Sequence, residues 1–171
     1  MKNDDCIFVR PGEEPPPKKE LPTHLLEVDY AKGYRLVSLK AVDSQKNLGI
    51  VVFDTGNIEL VEYPGKEKMN CYNFIEQLKS MGKFPLDTMF MEELFHNPAK
   101  IRNEWLSKDR KVVQILFLGM PLFYPENPET QYATVVHLSP VGTLEWYIHD
   151  MSKIIPKDVV AACYTKSLTG L

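Results

Sequence analysis

The sequence predicts an α+β fold in which one sheet carries helices on a face. Residues 24–63 and 111–149 contain short runs rich in Val, Ile, Leu and Tyr, separated by turn residues, a pattern typical of strands. Residues 69–108 lie between these two parts and repeat their apolar side chains at the helical spacing. Because strands and helices are grouped along the chain, we expect an antiparallel β-meander, a central helical block, three further strands and a C-terminal helix.

The composition is that of a globular protein. The chain has 171 residues, of which 44% are hydrophobic and 25% are charged. These values suit one domain and exclude a chain that is disordered throughout. We assign residues 1–22 to a flexible Pro-rich tail and residues 23–171 to a single α+β domain. In the tail, Pro16 and Pro17 are candidate binding residues, because a proline run loses little entropy when it docks in an aromatic-lined groove.

Four strands joined by short turns are expected in the first part of the domain. Such short connections require antiparallel neighbours. The predicted strands are His24–Tyr30, Tyr34–Val42, Leu48–Phe53 and Ile58–Tyr63. A hairpin that pairs Asp54 with Asn57 would then bring four apolar side chains to one core face. These side chains are Val51, Phe53, Ile58 and Leu60.

Three helices are expected in the central block. The first spans Cys71–Met81, where one apolar stripe repeats at the helical spacing, and Gly82 is a natural end. The second spans Leu86–Phe95 and has its own apolar side. Asn97 and the proline after it suit the start of a third helix, which would turn Trp105 inward.

The last part of the chain returns to strands and closes with a helix. Lys111–Met120 is almost continuously apolar, which is typical of a central strand buried on both faces. Pro121–Thr130 contains three prolines and is predicted to be a loop. Tyr132–Leu138 and Thr143–His149 are expected to form a hairpin. Pro156–Lys166 is expected to form the C-terminal helix, with its apolar residues turned inward.

No pattern of cysteines and histidines predicts a metal site or a cofactor. The three cysteines are far apart in sequence, and we expect Cys71 and Cys163 to be buried, reduced thiols. A hairpin register with Ser139 opposite Gly142 would place His137 and His149 on opposite faces of the sheet, where the two cannot easily share a metal. We therefore expect the protein to bind no cofactor and no metal.

One segment carries a catalytic signature. Residues 50–56, Ile-Val-Val-Phe-Asp-Thr-Gly, resemble the hydrophobic-Asp-Thr-Gly motif of the aspartic peptidases, and Ile115–Gly119 is similar to the apolar segment that follows in the retroviral type. The resemblance implies that Asp54 is a catalytic carboxylate that shares a proton with a second Asp and activates water. A single Asp-Thr-Gly implies a homodimer. The same residues also suit an ordinary hairpin turn.

The most prominent candidate binding surface is a Pro-rich segment with two aromatic side chains. Its candidate binding residues are Phe123, Tyr124, Pro125 and Pro128. Aromatic side chains are common in protein–protein hot spots, and a stiff segment loses little entropy on docking. A core-capping loop is the alternative.

The function predicted from these observations is a non-enzymatic protein-binding or regulatory protein that acts in the cytoplasm through a protein partner. The alternative is a hydrolase that uses Asp54 in a homodimeric site. The net charge of −3 predicts no nucleic-acid partner, and apolar runs too short to span a bilayer predict no membrane association. The sequence leaves the oligomeric state unknown.

Overall fold

The computed structural model describes residues 21–32, 40–41, 49–63, 68–101, 105, 113–138 and 144–165. These residues form an α+β structure with two sheets and two α-helices. The strands are β1 (Leu25–Asp29), β2 (Lys40–Ala41), β3 (Ile50–Asp54), β4 (Ile58–Glu62), β5 (Phe84–Pro85), β6 (Val113–Tyr124), β7 (Asn127–Leu138), β8 (Leu144–Asp150) and β9 (Val159–Tyr164). The helices are α1 (Cys71–Ser80) and α2 (Thr88–His96).

Most strands belong to one large sheet. Its order is β4-β9-β6-β7-β8, while β2 pairs with β6 and β5 pairs with β9. The pairing of β6 with β9 is parallel, and the other pairings are antiparallel. The prediction of one sheet is wrong, because β1 and β3 form a separate two-stranded sheet.

The predicted meander is also wrong. β3 pairs with β1 and β4 pairs with β9, so the expected hairpin between β3 and β4 does not form. A single 3-10 turn, Thr55–Asn57, carries the chain from the small sheet to the large one. The predicted shared core is nevertheless present, since Val51, Phe53 and Ile58 lie in one cluster and Leu60 packs against it.

The first two helices agree with the prediction. The Asn70 side chain accepts the backbone N–H of Asn73 at the start of α1, and the Asp87 side chain accepts that of Phe90 at the start of α2. Gly82 follows α1 with a φ of +68°, a conformation that glycine adopts without strain. Where the third helix was predicted, the described residues show a 3-10 turn, Pro98–Lys100, and residues 102–104 and 106–112 lie outside them.

The helices cover both faces of the large sheet, and the prediction of helices on one face is wrong. Side chains of β6 alternate between two cores: Ile115 packs with α2 and the small sheet, whereas Leu116 packs with α1. The hydroxyl of Tyr30 in the turn after β1 donates to Asp87 Oδ2 at 2.8 Å and so joins the small sheet to the start of α2. The prediction that β6 is buried on both faces is confirmed.

The predicted loop at Pro121–Thr130 is wrong, because β6 and β7 continue through it to a tight turn. The ladder between them is interrupted twice, between Phe117 and Leu122 and again between Leu122 and Tyr124. Pro121 lies in the first interruption, and Pro128 lies in the second, on the facing strand. A proline has no N–H to donate, so it is tolerated where the ladder is already broken.

The register of the β7–β8 hairpin differs from the prediction by one residue. His137 pairs with Glu145 and Ala133 pairs with His149, so both histidines lie on the same face of the sheet. A shift of one residue moves every side chain of a strand to the other face. The predicted separation of the two histidines is therefore wrong.

The prediction of a C-terminal helix is wrong as well, since residues 159–164 form the strand β9. β9 lies between β4 and β6 and is apolar throughout, with side chains buried on both faces. A short run that is buried on both faces has no periodicity that separates a strand from a helix. Asp158, with a φ of +68°, turns the chain into the strand.

Candidate functional site

The β6–β7 turn places the predicted binding residues at the tip of a long hairpin. Tyr124, Pro125 and Pro128 are exposed, as is the whole stretch 124–129, whereas Phe123 is half-buried. Leu122 at the base of this tip is fully buried and packs with three large side chains of β7 and β8. The hairpin tip, residues 123–128, thus extends from a buried base at Leu122 and carries an exposed aromatic end.

Tyr124 has a defined position in the tip. Its ring meets that of Tyr132 edge to face, with centroids 5.4 Å apart, which is a favourable aromatic geometry. The Asn127 side-chain amide donates to Thr130 Oγ1 at 3.0 Å and closes the turn on the other strand. Tyr124 remains 37% exposed, so one side of its ring is held by the protein while the other faces solvent.

The other predicted binding residues, Pro16 and Pro17, lie outside the described residues. The described chain begins at Leu21 and Pro22, which are exposed. The Pro22 carbonyl accepts both the backbone N–H of Leu25, at 2.9 Å, and the Lys100 ammonium, at 2.8 Å. The segment that leads into β1 is therefore fixed to the turn after α2.

Asp54 lies at the end of β3, where its carboxylate is occupied by the local turn. Oδ1 accepts the backbone N–H of Gly56 at 2.8 Å, and the hydroxyl of buried Thr55 donates to the His24 carbonyl at 3.0 Å. The Asp-Thr-Gly segment thus connects the small sheet to β4 instead of closing a hairpin. Its catalytic role in a homodimer stays a prediction.

The two histidines on the common face of β7 and β8 are each half-buried. Their Nε2 atoms are buried and have no hydrogen-bond partner among the described residues. His137 Nδ1 lies 3.7 Å from Glu145 Oε2. In the described part of the chain, no group of three or more His, Cys, Asp and Glu side chains is placed to hold a metal.

The two described thiols are unreactive. Cys71 and Cys163 are both buried and free, as predicted. Burial raises the pKa of Cys71 to about 12, and the nearby Asp150 carboxylate adds to the effect. Burial also raises the pKa of Cys163 to about 12, with Glu59 adding to it and Lys83 opposing it. Thiols held in the neutral form are poor nucleophiles, so neither cysteine suits covalent catalysis.

Sequence reasoning missed one surface, a groove of about 620 Å³ beside β1. It is lined by β1 residues such as Glu27 and Asp29, by Glu93 and Asn97 near the end of α2, and by Leu21. These residues are far apart in sequence, so only the folded chain brings them together. The alternation of apolar and acidic residues over Leu26–Asp29 was the one local signal for it.

No described helix is long and apolar enough to span a bilayer. Comparisons of the chain with protein-family models, curated proteins and solved structures found no match. A function for this protein therefore rests on the geometry of its own residues.

Proposed function

We propose that the protein is a non-enzymatic binding protein that docks on a protein partner through the hairpin tip. The observation that supports this is the exposure of Tyr124 at the end of a hairpin, where its ring packs against that of Tyr132. An aromatic ring that is already ordered loses little entropy when a partner covers it, so most of its burial contributes to affinity.

The charges of the tip indicate the chemistry of the partner. Glu126 and Glu129 are exposed beside the aromatic end, and the stretch 123–130 contains no Lys or Arg. A complementary surface has an apolar pocket for Tyr124 and the flanking prolines, with basic residues on its rim. Attraction between the two rims would speed association and weaken with added salt.

The test is the recovery of a complex from the cells that make the protein. Native mass spectrometry of the gently purified full chain is expected to show a stoichiometric partner. With the Tyr124→Ala variant, we expect the affinity for that partner to fall by at least about tenfold, as for a hot-spot aromatic. Phe123→Ala should also weaken the complex, but its half-buried ring contributes to folding as well.

A matched control is Tyr147→Ala on β8, where the ring is 40% exposed and its hydroxyl donates to Gln114. This variant loses the same side chain from another surface and should keep the partner. Thermal denaturation of both variants separates binding from folding. A partner that stays bound at full affinity when both Phe123 and Tyr124 are replaced would rule out the hairpin tip as its docking site.

A further inference from the structure

β1 has one backbone edge that no described residue pairs with. The bonds Thr55 N–H to the His24 carbonyl and Tyr30 N–H to the Gly49 carbonyl show which residues of this strand face β3. Along an antiparallel ladder, the backbone N–H and C=O groups of successive residues point alternately towards and away from the partner strand. The backbone groups of Leu26 and Val28 therefore also bond to β3, and those of Glu27 point away from it. The Glu27 N–H and C=O and the Asp29 N–H therefore face outward, with no backbone partner among the described residues.

This edge opens into the groove beside β1. The groove lies between β1 and the end of α2, where Glu93 and Asn97 line it, and Leu21 borders it near the start of the strand. A groove of about 620 Å³ is within the range of natural ligand sites. A five-residue strand spans roughly 17 Å, so the edge matches an extended peptide of about that length.

We infer that the groove binds an extended peptide that adds to β1 as a further strand and carries Lys or Arg at alternate positions. Main-chain hydrogen bonds to Glu27 and Asp29 would hold the peptide, which is the general mode of strand addition to an exposed edge. This site lies apart from the hairpin tip, and the inference does not depend on the function proposed above.

The charges of the groove select the basic residues. The acids that line it are Glu27, Asp29 and Glu93, and the bases are Lys32 and Lys100. Lys32 and Asp29 form an ion pair at 3.4 Å and balance each other, and the Lys100 ammonium donates to the Pro22 carbonyl. Glu27, at the centre of the edge, forms no ion pair with any described residue. A cation directly opposite Glu27 therefore completes a cross-strand pair.

The same charges disfavour a second copy of this chain as the occupant. Two β1 edges paired antiparallel about their centres would place Glu27 against Glu27, and like charges directly opposite each other are destabilising. A basic peptide would instead place a positive charge opposite Glu27, where the two charges attract each other.

Hydrogen exchange measured by NMR on the full chain tests the proposal directly. The probe is acetyl-Lys-Val-Lys-Val-Lys-amide, and the comparison peptide carries Glu in place of each Lys. The basic probe should protect the outward amides of Glu27 and Asp29, whereas the amides of Leu26 and Val28, already bonded to β3, should change little. The same probe methylated at every backbone nitrogen should lose its binding, because it has no N–H to donate.

Charge reversal supplies the matched pair of variants. Glu27→Lys should weaken the basic probe at least about tenfold and favour the acidic one, since an attractive cross-strand pair becomes a repulsive one. Glu62→Lys makes the same change at an exposed position of β4 and should leave binding unchanged. Binding that protects other amides instead of Glu27, or that survives both Glu27→Lys and backbone methylation, would overturn the proposal. A dimer that Glu27→Lys disrupts would overturn it too, in favour of a second copy.

Discussion

The Asp54 carboxylate illustrates how a local contact limits the interpretation of a motif. Its Oδ1 accepts the Gly56 N–H, which is what the first residue of a short helical turn ordinarily does. Sequence alone could predict a turn at Asp-Thr-Gly, because these residue types favour turns wherever they occur. It could not predict that this turn connects two sheets, since that depends on the distant partners β1 and β9.

The first prediction separates the structural role of Asp54 from a catalytic one. Asp54→Ala removes the acceptor for the Gly56 N–H and should lower the free energy of unfolding by about 1 kcal/mol. Asp54→Asn keeps an oxygen at the same position and should cost much less. Chemical denaturation of the three proteins measures both effects.

If Asp54 is instead a catalytic carboxylate, the Asn variant becomes the informative one. Asp54→Asn would then abolish peptide cleavage by a dimer while leaving the stability unchanged. Equal stability losses for Ala and Asn would contradict this prediction, because an amide oxygen would then fail to replace the carboxylate oxygen that accepts the Gly56 N–H.

At the scale of elements, the helices and strands that could be predicted are those marked by residues within or next to them. α1 has an amphipathic stripe, the Asn70 cap and Gly82 after its end, and each of these signals acts within a few residues. β9 has none of them, because it is buried on both faces and so shows no period. The one-residue error in the β7–β8 register has a different cause, since the sequence of residues 139–143 contains no strong two-residue hairpin signal.

The second prediction concerns Gly119 in the central strand β6. Its N–H donates to the Leu86 carbonyl at 2.8 Å, so the chain leading into α2 passes directly over this residue. A Cβ here would collide with the backbone of Pro85 and would lie 2.8 Å from the carbonyl carbon of Leu86. Since backbone cannot move aside as a side chain can, Gly119→Ala should cost roughly 3 kcal/mol or more.

Gly82→Ala is the control for this prediction. A Cβ at Gly82 meets no atom within 4 Å, so only the left-handed φ opposes it, at a cost of about 1–2 kcal/mol. Thermal unfolding of both variants compares the stability lost to atomic crowding at Gly119 with that lost to backbone strain at Gly82. If Gly119→Ala were as mild as Gly82→Ala, the approach of the two backbone segments would not be tight.

At the scale of the whole molecule, the pairing of the strands is what sequence reasoning could not supply. Strand content and the two helices follow from periodicity, but β9, the common neighbour of β4 and β6, comes from the far end of the described chain. The groove beside β1 has the same origin, as it joins residues near position 25 to residues near position 95. The short connections predicted hairpins between neighbouring strands. In the structure, β3 and β4 are instead buried against strands that are distant in sequence.

The third prediction is a pH dependence of global stability. Cys71 and Cys163 both belong to the core between the large sheet and α1, and burial raises the pKa of each thiol from 9.0 to about 12. Between these values the unfolded chain loses the thiol protons while the folded chain keeps them. The free energy of unfolding should therefore fall as the pH rises from about 9 towards 12, by about 1.4 kcal/mol per pH unit for each thiol.

The variant Cys71→Ala/Cys163→Ala provides the comparison. It should be less stable at neutral pH because two buried side chains are shortened, yet its stability should fall less steeply above pH 9. Urea denaturation at a series of pH values gives both slopes. Parallel curves for the two proteins would show that the thiols ionise as easily in the folded chain as in the unfolded one.

The position of β9 inside the large sheet has a consequence for biosynthesis. β9 is the last strand of the described residues, yet it separates β4 from β6. While the chain is still emerging from the ribosome, these two strands lack their common neighbour, and each presents a bare edge beside apolar side chains. Such edges associate readily with other chains. Until β9 has left the ribosome, the edges of β4 and β6 that it will cover therefore stay open to other chains.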